Sequence, residues 1–94
     1  MLSDIPKNLE KVSEADLDKE ILRAAMIAEL DAISLYEQLS ARTNNSDIKK
    51  VLLDIAKEEK THTGEFEELL KRLDKEYVSE IEAGKKEIEE MIDG

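Results

Sequence analysis

Apolar residues recur at three- and four-residue steps along two long stretches of the chain, the period of an amphipathic helix. In the first stretch Leu22, Ala25, Ala32, Ile33 and Leu39 share one side; in the second Ile48, Val51, Leu52, Ile55, Phe66, Leu69 and Leu73 do so. Between them, Thr43-Asn44-Asn45-Ser46-Asp47 breaks the period with short polar side chains that bond nearby backbone and cap a following helix. The pattern predicts helices over residues 13–42 and 47–73. Ser13-Glu14-Ala15-Asp16 has the form of a capping box, its hydroxyl accepting from the first turn and its acid reaching back. Residues 1–12, with the only proline, Pro6, and no sustained period, are expected to form an extended arm. Asp74 can cap a third, shorter helix over residues 75–92, weakened or bent at Gly84.

Each long helix spans about 27 residues, or roughly 40 Å at 1.5 Å per residue, and the short turn makes the pair an antiparallel hairpin. Two helices alone leave both apolar stripes partly open to water. Another copy of the hairpin is the simplest cover, giving an all-α bundle of four helices from two chains. At 94 residues the chain is one domain, and a chain this short buries only roughly 60–65% of its unfolded surface. It has no Cys, which removes disulfides and thiolate metal sites. Pairing, a metal held by His and carboxylates, or both must then supply the missing stability.

Net charge is −10, from 24 acidic against 14 basic residues. Such a surface repels nucleic acid and anionic lipid and attracts cations. No run approaches about 18 apolar residues, and the N-terminus lacks the charged and apolar regions of a secretory leader, so the expected location is cytoplasmic with no membrane contact.

Both stripes contain polar intruders. Glu29 sits in the middle of the first, with Tyr36 two turns along the same side; Glu59 and His62 interrupt the second at i and i+3. A buried carboxylate without a partner is costly, so a core that holds one pairs it or gives it to a metal. The midpoint between Glu29 and the Glu59/His62 pair falls inside the turn at Thr43-Asn44-Asn45. Folding the hairpin there brings all three to one height, within about one turn. A lone His among helices is more often a surface or satisfied core residue, and the charge run Lys57-Glu58-Glu59-Lys60 is more often a solvated face. The shared spacing of Ile55, Glu59, His62 and Phe66 argues against both. Carboxylates suit hard iron ions and imidazole adds a neutral nitrogen donor. Glu65, one turn beyond His62, is a further candidate ligand.

These residues carry a family resemblance. Ala28-Glu29-Leu30-Asp31-Ala32-Ile33-Ser34-Leu35-Tyr36-Glu37-Gln38 and Glu58-Glu59-Lys60-Thr61-His62, with the spacer between them, resemble the encapsulated ferritins over residues 20–73. Those are ferritin-like proteins shortened to a helical hairpin, related to the rubrerythrins. The resemblance implies that Glu29, Glu59 and His62 are iron ligands of a di-iron centre completed by a second subunit. Tyr36 stands beside them. Other divalent metals would fit the same donors. It implies further that dimers form a ring of ten subunits, a homodecamer carried as cargo of an encapsulin shell in which oxidised iron is mineralised. Asp31 matches one member of the acidic pair through which metal reaches the centre; Ala28 stands where the other is expected, and Leu35 replaces an aromatic of some members. The chain closes on Ile92-Asp93-Gly94 without an apolar tag, so the native chain is expected to continue as a fusion or to have been cut short.

The function expected is ferroxidase: oxidation of Fe(II) to Fe(III) at a site formed between two chains, for iron storage and detoxification. Two alternatives stay open. One is a rubrerythrin-like di-iron peroxide reductase, whose electrons would need an outside donor because no Cys is present. The other is a non-catalytic helical dimer whose inward Glu and His bind a metal structurally or pair with each other.

Overall fold

The computed structural model describes residues 9–94. Among them the structure is all helix: a 3-10 turn at Leu9–Lys11, α1 at Glu14–Arg42, α2 at Ser46–Leu73, and α3 at Lys75–Ile88 closing in a π-helical turn at Glu89–Asp93. Residues 1–8, with Pro6, lie outside the described residues. The part of the expected extended arm that is described is wound into the 3-10 turn, with Val12 N donating to Leu9 O at 3.2 Å.

The start of α1 also differs from the expected capping box. Ser13 occupies the cap position with no side-chain bond to the helix backbone; its hydroxyl donates instead to the Asp16 carboxylate at 3.0 Å. A hydroxyl bond to a charged carboxylate is stronger than a neutral one, and the rotamer that makes it leaves the hydroxyl oxygen unbonded to the first-turn N–H groups. The turn between the long helices is short. Asn45 Oδ1 accepts from Asp47 N and Ile48 N, both at 3.0 Å, and Thr43 Oγ1 accepts from Asn45 N at 3.1 Å. These bonds satisfy donors that the first turn of α2 cannot pair internally.

α1 and α2 pack antiparallel, and their shared core is thin: Ala56 and Leu70 are the buried apolar residues, with buried Ser40 donating to Glu37 O at 2.8 Å. Across the seam, exposed Lys60 meets Glu37 at 2.9 Å. Asp74 forms the corner. Its N–H donates to Leu70 O at the end of α2, and its Oδ1 accepts from Tyr77 N at the start of α3, each at 3.0 Å. Arg23 on α1 reaches the same carboxylate at 3.4 Å, tying the corner to the hairpin. α3 runs unbroken through Gly84, where the helix was expected to be weakened or bent; the departure from α-helical geometry comes later, at Glu89.

The molecule measures 46 × 45 × 19 Å. A 29-residue α1 accounts for one long dimension, about 43 Å, and two packed helices span only about 20 Å across. The second long dimension comes from α3, which projects away from the hairpin. No helix among the described residues is long and apolar enough to cross a membrane.

Candidate metal centre

Glu29 stands mid-way along α1, and Glu59 and His62 stand on facing turns of α2. The i, i+3 spacing puts Glu59 and His62 about 60° apart around the helix axis, so both can reach one point beside it. Asn45 caps α2 at the turn between the two helices, and Glu29 meets that point from across the seam. One donor atom from each of the three lies within 4.8 Å of the others. His62 Nδ1 is 3.5 Å from Glu29 Oε2 and 3.6 Å from Glu59 Oε1.

Burial is uneven in a way that matters. The two carboxylate side chains are only 20% and 19% exposed, whereas that of His62 is 45% exposed. Glu29 Oε2 is buried and has no hydrogen-bond partner, since the His62 approach misses bonding geometry. A buried acceptor left unmade costs about 1–3 kcal/mol, more if charged. Two carboxylates and one imidazole, with one oxygen unsatisfied and aimed at the other donors, fit a divalent cation by charge, donor type and spacing.

The centre opens onto a surface rich in exposed apolar side chains. Ile48 and Val51 flank it toward one end of α2, and Leu69 and Leu73 toward the other. Shallow apolar grooves lie at both ends, one lined by Ile48, Val51 and Leu52 with Asp47, the other by Ile21, Leu22, Leu69 and Leu73 with Asp18 and Arg72.

The remaining residues singled out in the sequence fall outside the three-donor group. Tyr36 is half-buried and has no hydrogen bond among the described residues. Asp31 is half-buried with a polar interaction of its own, and Glu65 is exposed. Among the described residues only Glu29, Glu59 and His62 form a group able to hold a metal ion. The sequence showed no sign of the Lys60–Glu37 and Arg23–Asp74 links, because each joins residues distant along the chain by long side chains.

An antiparallel hairpin with Glu on one helix and Glu-x-x-His on the other defines a ferritin-like helical protein with a carboxylate and histidine group able to hold a metal. Comparison with known proteins takes this to a family. The rubrerythrin family model matches residues 20–92, and the chain belongs to that family. It is 53% identical over 72 residues to the ferritin-like-encapsulin shell fusion protein of Pyrococcus furiosus, a match covering 77% of this chain and 21% of that one. It is 41% identical over 66 residues to the encapsulin nanocompartment cargo protein EncC of Myxococcus xanthus, covering 70% of this chain and 50% of that one. The chain thus spans half or less of the length of these curated relatives. The crystal structure of the encapsulated ferritin domain from Pyrococcus furiosus superposes with a TM-score of 0.85 at 45% identity, covering 100% of this chain and 98% of that one.

Proposed function

We propose that the chain is a ferroxidase whose di-iron centre forms where two copies meet, and that it serves iron storage as cargo of an encapsulin shell. The observation that carries this reading is the buried, unpartnered Glu29 Oε2, held with Glu59 and half-exposed His62 on an open face of the hairpin that carries exposed Ile48, Val51, Leu69 and Leu73. One chain offers two carboxylates and one imidazole, an incomplete set for two irons. A two-fold axis through that face doubles it to four carboxylates and two imidazoles, and buries Val51, Leu69 and their neighbours as it does so. The names of the relatives support the shell and cargo part of the reading, and the ring of five dimers belongs to it as well.

Ferrous iron is the substrate. Each Fe(II) gives up one electron, so a pair reduces one dioxygen to peroxide, or one peroxide to water, with two protons taken up. The residues of this chain bind and hold. Glu29 and Glu59 balance cationic charge, more strongly as it rises on oxidation, and His62 supplies a neutral donor that keeps the site from being over-anionic. Tyr36, two turns along the same side of α1 from Glu29, is proposed to stand beside the ligands. Asp31 is proposed to guide incoming cations, and Glu65 to lie near enough for a neighbouring copy to use. An open hairpin dimer has little interior volume, so mineral must accumulate outside it, as enclosure in a shell would allow.

Anaerobic titration with Fe(II), followed by ferric absorbance on admitting air, tests the reading. Saturation at two irons per dimer with rapid colour is expected. Binding without oxidation would leave a structural metal dimer instead. The family match favours one further reading, a rubrerythrin-like peroxide reductase. Peroxide turnover coupled to an external reductant, faster than iron oxidation under air, would select it.

A further inference from the structure

Most of the interior of α2 is built from strong helix formers, but the turn that carries His62 is not. Thr61-His62-Thr63-Gly64 is the one run of four weak helix formers in that helix, and it falls on a candidate ligand instead of at a terminus. Threonine is stiff at χ1 and its hydroxyl competes with the backbone ladder, while glycine leaves the backbone loose. Packing within the chain does not call for Gly64, since a side chain there would meet nothing within 4 Å. Regular α-helix nevertheless continues through all four positions.

Two hydroxyl bonds brace this turn, and they are unequal. Part-buried Thr63 Oγ1 donates to Glu59 O at 3.0 Å, whereas exposed Thr61 Oγ1 reaches Lys57 O only at 3.5 Å, at the long limit of a bond. The Thr63 bond closes the very turn that holds both candidate ligands of α2, because His62 lies between Glu59 and Thr63. Thr63 stands about 40° from Glu59 around the helix, and Thr61 about 160° from it.

His62 has need of such a brace. A metal-binding His ordinarily donates its other ring N–H to a carboxylate, a carbonyl or water, which fixes the ring. Among the described residues no hydrogen bond holds the His62 ring; Glu29 and Glu59 stand 3.5 and 3.6 Å from its Nδ1 without bonding it. The backbone beneath the imidazole therefore aims it.

We propose that Thr63 is a positioning residue for the metal centre, its hydroxyl on Glu59 O holding the turn from which Glu59 and His62 reach one ion. This role rests on the metal reading of Glu29, Glu59 and His62. Thr63 touches no metal; it acts through the backbone carbonyl of one ligand and the helical turn under the other.

Titration of the full chain with Co(II) alone, whose visible bands report coordination geometry, tests this. Thr63→Val keeps the branched shape and a similar helix propensity but removes the hydroxyl; it should weaken Co(II) binding about tenfold and shift the bands. Thr63→Ser keeps the hydroxyl and should recover both affinity and spectrum. Thr61→Val should bind as the wild type does. Circular dichroism, and native mass at saturating Co(II), should match the wild type in all three. Unchanged Co(II) affinity and bands in Thr63→Val overturn the proposal, as does an equal loss in Thr63→Ser or in Thr61→Val. Loss of helix in Thr63→Val also overturns it, by assigning the hydroxyl to the fold instead of the site. A wild type that takes up no Co(II) would overturn the metal reading itself, and the role of Thr63 with it.

Discussion

His62 Nδ1 on α2 stands 3.5 Å from Glu29 Oε2 on α1, close enough to share an ion but without the geometry of a hydrogen bond. Donor atoms that hold one cation at about 2.1 Å each stand roughly 3–4 Å apart, and this pair falls in that interval. A pair optimised for each other would instead close to about 2.8 Å. The spacing therefore favours a guest between the two residues over a direct bond.

Replacing Glu29, Glu59 or His62 singly by Ala is expected to reduce iron oxidation to the uncatalysed background, since each removes one third of the donors a chain supplies. Far-UV circular dichroism should show unchanged helix, because none of the three belongs to the apolar core of Ala56 and Leu70. Oxidation persisting in all three variants would remove the centre from the mechanism.

Glu29→Leu should make the metal-free protein more stable, by about 1–3 kcal/mol, because it removes a buried oxygen with no partner. Added divalent metal should reverse the order. At a free concentration a hundredfold above Kd, the wild type gains about 2.7 kcal/mol and Glu29→Leu gains little. Urea unfolding with and without metal measures both.

Val51→Glu and Leu69→Glu place charge on the open apolar face beside the candidate centre while leaving Glu29, Glu59 and His62 in place. Both are expected to yield monomers by native mass and to lose iron oxidation with the dimer. A monomer oxidising iron at the full rate would show that one hairpin suffices.

Asn45→Ala removes the side-chain acceptor of two backbone N–H groups at the start of α2 and should cost about 1 kcal/mol in thermal or urea unfolding. Iron stoichiometry should not change, because the turn lies at the far end of the hairpin from α3 and away from the donors. This separates fold stability from site chemistry.

Much of the architecture was legible in the chain. Helical period, a polar turn centred on Asn45, and Asp74 as the start of a third helix follow from local rules, because caps and periodicity act over three or four residues. The convergence of Glu29 with Glu59 and His62 was also legible, since a hairpin folded at a known turn fixes which positions stand level. Other local details were not. The Ser13 hydroxyl could bond backbone or carboxylate, and only the placed side chains show that it chooses Asp16. The wound segment at Leu9–Lys11 carries too little period to announce itself.

By itself the sequence determined which residue types line each helix face, and so which three donors point inward on the hairpin. Tertiary structure decided how they are shared out between solvent and seam: Glu29 and Glu59 largely enclosed, His62 half open, one carboxylate oxygen stranded. It also decided that α3 leaves the hairpin instead of folding back to cover it. The reason is physical. Helix period depends on neighbours a few residues away, whereas the burial of a single oxygen and the direction of a third helix depend on side chains brought together from opposite ends of the chain.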